Sequence, residues 1–495
     1  MATIPWSPES VPDPASPAPP AERSPRPSLV ILVLASCGLA VSLMQTLVVP
    51  LLPQFPRLLD TSPATVAWLV TATLVAGAVC APLLGRLGDM YGRKRMLVLA
   101  LAVVTAGSVL GAVAPGVEVL IVARVLQGAS LGVVPLGISI MRGVLPEGRV
   151  GSGVALMSSS LGIGGAIGLP ITGLVAEHLG WRWLFAGAAV LCAVLLALVQ
   201  RMVAESPERT GGRFDLLGAL GLGAALVSLL LAISKGSEWG WSSPRVLGLL
   251  AAAVVLFALW GRLELRVRAP LVDLRVSARP AVLWTNVASV LIGFSMFAGF
   301  LLTTQVLQAP TSTGYGQGLS LIAAGMVLLP VGAVMVVFSP ISARISDRRG
   351  ARTTLLIGAV ILTAGNLWQA TIPPTVPLIM AATTVTSIGA ALAYSAIPML
   401  IMDAVPSSET AAANSLNSLM RMLGTSSCSA FTAAVASGMI MQVDGHAVPT
   451  GGAYTVVYLA AAGAGLAAVL IMAALPRLVR GRRSAAVVTP AAASV

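Results

Sequence analysis

A group of charged side chains interrupts an otherwise apolar stretch in the first quarter of the chain. The segment LLGRLGDMYGRKRML, residues 83–97, places Asp89 four positions before Arg93, between two apolar runs. Asp89 can pair with a neighbouring arginine or meet the positive N-terminal end of a facing helix. Gly92 permits a tight turn directly after the helix that carries Asp89. This chemistry suits an electrostatic latch, with a simple topology anchor as the alternative.

A second segment, ISARISDRRGARTTL, repeats the pattern later in the chain. Asp347 and Gly350 each stand 258 positions after Asp89 and Gly92, and Arg352 follows Gly350 by two residues. Repeated halves are a recurring plan in secondary transporters, where the substrate site lies between them near the membrane midplane. The repeat therefore predicts two similar helical halves.

The elements that must position these residues are membrane helices. The 495 residues are 57% hydrophobic and only 10% charged, whereas soluble domains carry roughly 25% charged residues. A helix needs about 20 apolar residues to cross a bilayer. We count fourteen such runs, at 29–53, 64–84, 96–114, 118–141, 153–176, 183–202, 216–234, 245–261, 281–303, 319–342, 353–372, 376–400, 409–439 and 454–475. The sequence predicts an all-α integral membrane protein with fourteen transmembrane helices.

The net charge of +12 is explained by membrane topology. If the N-terminus is cytoplasmic, 24 of the 30 basic residues fall in cytoplasmic segments, as the positive-inside rule requires. We expect a multi-pass plasma-membrane protein with both termini in the cytoplasm and no nucleic-acid partner. The four cysteines lie inside apolar runs without metal-like or disulfide-like spacing, so no metal site is expected.

Two six-helix bundles with an inserted helical pair account for the repeat offset and the fourteen runs together. The N-terminal tail is rich in proline and serine and is predicted to be disordered. The predicted units are the N-tail, the first bundle, the two extra helices with their linkers, the second bundle and the C-tail, at 1–28, 29–202, 203–280, 281–475 and 476–495.

The first charged motif resembles the signature loop between spans two and three of the major facilitator superfamily, G-x-L-x-D-x-x-G-R-K-x. The resemblance implies the major facilitator fold and a conformational latch at the cytoplasmic seam between the halves. Such a latch holds the halves together in one state and releases them in the other. Its members in the two copies would be Gly85, Asp89, Gly92, Arg93, Lys94, Asp347, Gly350 and Arg352.

Span four carries ARVLQGASLG, which is similar to the R-x-x-Q-G motif of drug–proton antiporters. Arg124, Gln127 and Gly128 share one helix face. A charged side chain in the membrane interior costs about 2.5–3.5 kcal/mol, so Arg124 should face protein or a water-filled cavity. It serves either in coupling or in an interhelical hydrogen-bond network. Arg421 in span thirteen invites the same argument.

Span five carries LGIGGAIGLPITG, which is similar to the antiporter motif G-x-x-x-G-P-x-x-G-G. The chain departs from the motif at three positions, because Leu169 stands in place of proline, Pro170 follows one place late and Thr172 replaces a glycine. The resemblance implies a gate helix between the halves, with close helix packing as the alternative. The gate residues would be Gly164, Gly168, Pro170 and Gly173.

Across residues 29–475 the chain is similar to the fourteen-span branch of the drug–proton antiporters. That branch often opens span one with aspartate, in a pattern like L-D-x-T-I-V-N-V-A-L-P, where this chain has Met44 followed by Gln45. Proton coupling needs a group that titrates, so here coupling is an expectation from the family. The candidate proton carriers all lie near span ends and are Glu118, Glu177, His178 and Asp403.

Spans that line the cavity in relatives carry aromatic, methionine and amide side chains, which suit bulky apolar substrates. Each is also an ordinary core residue. The candidate substrate-binding residues are Met44, Phe294, Phe297, Tyr394, Asn414 and Asn417, and the candidate coupling or cavity residues are Arg124, Gln127, Arg421 and Gln45.

The sequence thus predicts a secondary active transporter that exports drugs, antibiotics or amphipathic natural products by alternating access. The proton gradient drives it without a cofactor, its partners are the small-molecule substrate, protons and the lipid bilayer, and we expect a monomer. A transporter of the same fold for a specific metabolite, amino acid or lipid is the alternative. An enzyme is disfavoured because we find no HExxH motif, no G-x-S-x-G elbow, no P-loop and no loop long enough for a catalytic domain.

Overall fold

The computed structural model describes residues 27–48, 51–52, 54–206, 209–211, 214–267, 270–443 and 446–486. These residues are almost entirely helical. The helices of the first half are α1 Pro27–Thr46, α2 Phe55–Leu58, α3 Pro63–Tyr91, α4 Arg93–Ala112, α5 Val117–Gln127, α6 Val133–Val144, α7 Glu147–His178 and α8 Arg182–Met202.

The inserted segment and the second half are also mainly helical. The inserted helices are α9 Leu216–Trp239, α10 Pro244–Glu264 and the short α11 Leu274–Ser277. The helices of the second half are α12 Pro280–Gln308, α13 Leu321–Arg349, α14 Ala351–Thr371, α15 Val376–Ala404, α16 Thr410–Gly438 and α17 Gly451–Ala486. A hairpin of β1 Ile440–Val443 and β2 His446–Pro449 precedes α17, with Ile440 opposite Pro449 in antiparallel register.

Local signals in the sequence set several of these helix ends. The side chains of Ser62, Ser243 and Ser320 accept hydrogen bonds from the first-turn amides of α3, α10 and α13. Gly92 and Gly350 separate successive helices with φ of +119° and +83°, a region that other residues rarely adopt. The predicted glycine turns are therefore present in both copies of the charged motif.

Thirteen helices among the described residues are long and apolar enough to cross a membrane, when α5 and α6 are counted as one span. The run predicted at 409–439 forms the 29-residue helix α16. Its serines, asparagines and Arg421 leave it too polar to meet the same criterion. The prediction of a mostly helical membrane fold is confirmed, whereas the count of fourteen spans stays a prediction.

The structure differs from the predicted elements in four places. Span four is not one regular helix, because Gly128–Gly132 form a 3₁₀ turn between α5 and α6. The hairpin after α16 was not expected, and the last helix continues past residue 475 to Ala486. At the start, α1 begins at Pro27, inside the predicted tail, and the rest of that tail lies outside the described residues.

Each half has its own apolar core, and a third cluster joins them. In the first half α1 packs on α7 and α4 packs on α8, while in the second α14 packs on α15 and α17. The halves meet where α7 packs on α13 and where α3 packs on α16. Helix α9 contacts both α3 and α16, so the inserted pair lies over one seam between the halves.

Candidate functional site

The first charged motif lies at the end of the bundle where Gly92 and Gly350 turn, which we call the motif face. Asp89 and Arg93 are both completely buried there, and Arg93 Nη2 lies 2.9 Å from Asp89 Oδ1. Arg93 Nε also donates to Asp89 Oδ1 at 3.0 Å. The sequence places them four residues apart across the Gly92 turn, which brings the two charges together.

This ion pair joins the two halves of the molecule. Asp89 Oδ2 accepts the amide of Ala412 at 2.8 Å, and Oδ1 accepts the amide of Ala411 at 3.3 Å, in the first turn of α16. Arg93 donates to the main-chain carbonyl of Ser407, just before the same helix. A carboxylate is stabilised by free amides and by the dipole at a helix N-terminus. The pair therefore binds α16 to the first half.

Close packing along α3 and α16 accompanies the ion pair. A methyl group added at Gly85 would lie 2.2 Å from Ser415 Oγ and 2.8 Å from the Ala411 carbonyl oxygen, so only glycine allows this approach. Arg142 from α6 also crosses the seam, donating to Thr410 Oγ1 at 2.6 Å. Together these contacts close the seam between the halves at the motif face.

Glu205 is a member of this cluster that the sequence motif does not include. Its carboxylate accepts the amides of Lys94 at 3.0 Å and Arg95 at 3.3 Å, at the start of α4. Lys94 Nζ in turn donates to the Gln200 carbonyl at the end of α8 at 2.9 Å. A lone glutamate in a linker carries no spacing signal, so only the fold reveals this helix cap.

The second copy of the motif makes different contacts. Asp347 is exposed, and within the described part of the chain it has no hydrogen bond or ion pair. Arg352 Nε donates to the Met472 carbonyl at 2.8 Å and Nη2 to the Ala473 carbonyl at 3.1 Å, both on α17. The structure therefore brings Gly85, Asp89, Gly92, Arg93 and Lys94 together at the seam and leaves Asp347, Gly350 and Arg352 at a separate position.

The span-four motif forms a buried polar network inside the first half. Arg124 Nη1 donates to the Met44 carbonyl at 2.9 Å and to Gln127 Oε1 at 2.7 Å, and its Nε donates to the Leu69 carbonyl at 3.1 Å. Gln127 Nε2 donates to Ser108 Oγ at 2.9 Å. The network ties α1, α3, α4 and α5 together, as in the interhelical alternative that the sequence left open.

Packing explains why glycine follows this motif. A methyl group at Gly128 would lie 2.8 Å from the Gly77 amide nitrogen and 2.9 Å from the Thr73 carbonyl oxygen of α3. The segment GASLG also fits the G-x-S-x-G spacing of hydrolases, so the expectation that the chain lacks this motif is wrong. Ser130 is 1% exposed inside the helical bundle, where it suits packing rather than nucleophilic chemistry.

The proposed gate helix α7 packs between α1 and α13. Methyl groups at Gly164 and Gly168 would lie 2.5 Å from Ser42 Cβ and 2.2 Å from Thr46 Oγ1 of α1. Pro170 packs on the other side, against Gly325 of α13, and α7 remains helical through it. Gly173 follows one turn later, half-buried. This helix therefore joins the halves along the second seam.

The predicted substrate residues do not form one group. Met44 lies in the apolar core of the first half, where its sulfur is 3.8 Å from Gln127 Nε2, and its assignment to the substrate cavity stays a prediction. Its place on a span that lines the cavity in relatives does not fix the direction of the side chain. Gln45 beside it is half-buried.

The remaining candidates all lie in the second half. Phe294 packs on Phe431 with ring centroids 5.9 Å apart, and Phe297 belongs to the same apolar cluster. Asn417 Nδ2 donates to Asn286 Oδ1 at 2.9 Å and to Ser289 Oγ at 2.7 Å. Asn414, buried near the motif face, donates to the Thr410 carbonyl of its own helix. Phe294 and Phe297 thus serve packing, and Asn417 forms hydrogen bonds between helices.

Tyr394 and Arg421 form a pair at the contact between the halves. The Arg421 guanidinium carbon lies 4.9 Å from the centre of the Tyr394 ring, a cation–π geometry. Tyr394 shares an apolar cluster with Met335 of α13 and Ile163 of α7, which belongs to the first half.

The candidate proton carriers lie at helix ends. Glu118 and Asp403 are exposed, and within the described ranges His178 bonds only the Leu174 carbonyl of its own helix, at 2.9 Å. The side chain of Glu177 lies outside the described residues.

The inserted helices also carry a buried carboxyl pair that the sequence does not predict. Asp215 Oδ1 accepts the Gly218 amide at 2.8 Å, and Glu264 Oε1 accepts the Val272 amide at 2.7 Å. Their other oxygens, both buried, lie 2.3 Å and 2.8 Å from the point where a methyl group on Gly218 would sit. Two carboxyl groups this close favour sharing one proton. Their separation of 49 residues gives no sequence signal.

Two repeated helical halves, a polar seam at one face and buried polar networks in the spans define a multi-pass membrane transport protein. Residues 34–428 and 315–493 match the sequence profile of the Major Facilitator Superfamily. The chain belongs to that superfamily, and the predicted fold class is confirmed.

Two proteins with similar sequences agree with this assignment. The chain is 31% identical over 349 residues to the tetracenomycin C resistance and export protein of Streptomyces glaucescens, a match that spans 69% of this chain and 63% of that protein. It is 27% identical over 404 residues to the multidrug resistance protein Stp of Mycobacterium tuberculosis, over 81% of this chain and 74% of that one.

The solved structures show the fold alone. The human organic anion transporter MFSD10 (TETRAN) superposes with a TM-score of 0.63 and 16% identity, over 90% of this chain and all of that one. The proton:xylose symporter XylE gives a TM-score of 0.62 and 14% identity, over 92% and 96%.

Proposed function

We propose that this protein exports drugs, antibiotics or amphipathic natural products from the cell by alternating access, with the proton gradient as the energy source. The observation that carries the transport mechanism is the buried Asp89–Arg93 pair, which binds the first turn of α16 to the first half. The relatives named for tetracenomycin C export and multidrug resistance support the cargo class.

The latch gives the alternating-access cycle a defined closed state. With the pair intact, α3 and α16 are in contact and the seam at the motif face is closed. Opening that face requires Asp89 to leave the amides of Ala411 and Ala412. We propose that the motif face is cytoplasmic, since the positive-inside bias assigns its arginine-rich loops to that side.

Proton coupling needs a titratable group that binds the proton during the cycle. All described aspartates and glutamates lie in loops or within three residues of a helix end, so none occupies the middle of a span. We propose Asp215 and Glu264 as the proton-binding pair, because each has a buried oxygen without a hydrogen-bond partner. The pair lies on the inserted helices, of which α9 touches both sides of the seam.

The test is efflux from cells that lack their own drug pumps. Cells that express the wild type or Asp89→Asn are loaded with ethidium, and efflux is followed with and without a protonophore. Puromycin and tetracenomycin C tolerance are measured in parallel. We expect the wild type to give efflux or tolerance that the protonophore abolishes. Asp89→Asn should give neither. A third variant, Glu264→Gln, should transport in a way that no longer depends on the proton gradient.

Two results would contradict the proposal. Export that continues at full rate with the protonophore would contradict the proposed proton coupling but not the proposed cargo class. The absence of any effect of the wild type on all three compounds would favour the alternative, a transporter of one specific metabolite, amino acid or lipid.

A further inference from the structure

The two arginines inside the spans are satisfied in different ways. Arg124 is 1% exposed, and its guanidinium donates to two main-chain carbonyls and to Gln127 Oε1. Arg421 is half-buried, and its only hydrogen bond within the described part of the chain is a marginal one, from Nη2 to Ser418 Oγ at 3.5 Å. A guanidinium has five N–H donors, so most of those on Arg421 are unused.

Arg421 lies deep in the membrane, where unused N–H donors of an ionised side chain cost free energy unless a ligand accepts them. The residue lies eleven positions into the 29-residue helix α16, about 16 Å along its axis. Tyr394 lies ten positions before the end of α15 at a matching depth. The hydrocarbon core is about 30 Å thick, so the pair lies near the midplane, where ionised side chains mark substrate or ion pathways.

No acidic side chain in the described part of the chain neutralises this charge. The described ion pairs involve Arg93, Arg95 and Lys235, and none includes Arg421. Every described carboxylate lies in a loop or within three residues of a helix end. A lone cation at this depth attracts anions and repels organic cations.

The surroundings define which anions fit. The Tyr394 ring covers one side of the guanidinium at 4.9 Å, and Gly293 of α12 packs closely against the Arg421 main chain and stem. Met335 and Ile163 lie in the same apolar cluster as Tyr394. A flat aromatic molecule with an ionised carboxyl or phenol group satisfies both the charge and the apolar wall.

We propose that Arg421 and Tyr394 form a midplane binding site for the ionised carboxylate or phenolate of an aromatic substrate, so that the exporter carries anionic cargo. The inference rests on the proposed export function and names its cargo class.

The experiment compares an anionic and a cationic aromatic dye in the same cells. Fluorescein and ethidium are preloaded, and efflux is measured for the wild type, Arg421→Gln, Arg421→Lys and Tyr394→Phe. We expect the wild type to export fluorescein and Arg421→Gln to lose this roughly tenfold or more, because a charge-assisted bond is removed. Arg421→Lys should retain part of the rate, and Tyr394→Phe, which keeps the aromatic face, most of it.

Controls separate a binding role from a folding role. Membrane abundance and monodispersity of each variant are measured on the purified protein, and thermal stabilisation by fluorescein is compared between wild type and Arg421→Gln. Stabilisation of the wild type alone supports a binding site. Equal fluorescein efflux by the wild type and by well-folded Arg421→Gln overturns the inference, as does a wild type that exports ethidium but not fluorescein.

These outcomes also distinguish the two proposals. Export of ethidium alone leaves the export function standing while the anionic cargo fails. Export of neither dye, with no stabilisation by fluorescein, rejects the anion site and counts against the export function as well.

Discussion

The two copies of the charged motif have the same backbone and different roles. In both, an aspartate lies in the last turn of one helix, a glycine with positive φ turns the chain, and a basic residue two positions later donates to the last long helix of its half. Lys94 bonds the Gln200 carbonyl of α8, and Arg352, 258 positions on, bonds the Met472 carbonyl of α17. This contact is the part of the motif that both halves share.

One residue accounts for most of the difference. The position equivalent to Arg93 is Ala351, so Asp347 has no arginine four residues away. Asp347 Oδ1 nevertheless lies 3.0 Å from the point where a methyl group on Gly151 would sit, in the second turn of α7, whereas Asp89 lies beside the first turn of α16. A carboxylate near a helix N-terminus becomes a buried latch only with the arginine present. The motif face thus has one firm seam and one loose seam.

The largest effect expected from this asymmetry is on Asp89 itself. Asp89→Asn leaves Arg93 fully buried without its counter-charge, a change that costs about 3–5 kcal/mol for buried pairs. We expect transport to fall by at least roughly tenfold, because the closed state loses its latch. Efflux is measured at matched protein abundance in the membrane.

Asp347→Asn is the matched control in the other copy. Its carboxylate is exposed and unpaired among the described residues, so we expect a change of less than about twofold, as for most surface substitutions. Equal losses in the two variants would show that the repeated sequence, and not the arginine pair, determines the role.

Much of this fold was accessible from the sequence. Apolar runs of membrane-spanning length placed the helices, and the 258-residue repeat placed the two halves, because the bilayer and the turn chemistry act locally. The same holds for the Asp89–Arg93 pair, since four residues across a glycine turn bring the side chains together. Span four differed because the 3₁₀ turn at Gly128–Gly132 lies inside an unbroken apolar run.

The contacts between segments distant in the sequence could not be predicted from it. Glu205 caps α4 from a linker more than 100 residues away, and Asp215 meets Glu264 across two helices. Met44 was assigned to the cavity from its position alone, yet the rotation of α1 turns its side chain into the first bundle. Position along a helix predicts depth, but side-chain direction depends on how helices rotate against their neighbours.

A smaller effect is expected when the missing arginine is restored. Ala351→Arg places a cation four residues after Asp347, the spacing that forms the ion pair in the first copy. Because Asp347 is exposed, the added pair should contribute only about 0.3–1 kcal/mol. We expect efflux to slow by roughly two- to fivefold, since a second latch delays opening of the motif face.

Ala351→Gln provides the control for bulk at this buried position. Similar slowing by glutamine would attribute the effect to size rather than charge. Raised salt on the motif-face side should restore the rate of Ala351→Arg alone, because an exposed ion pair is screened.

The smallest effect is expected from the contact of the basic residue with the last long helix, which both copies share. Arg352→Ala removes two hydrogen bonds to carbonyls of α17, and Lys94→Ala removes one to α8. A hydrogen bond contributes about 0.5–1.5 kcal/mol, so each variant should lower the midpoint of thermal unfolding in detergent by a few degrees, with the larger shift for Arg352→Ala. Transport should remain near the wild-type rate, because neither contact crosses between the halves. Arg352→Lys should recover part of the stability, and a transport loss from Lys94→Ala as large as that from Asp89→Asn would place this contact within the latch and remove the distinction between the two copies.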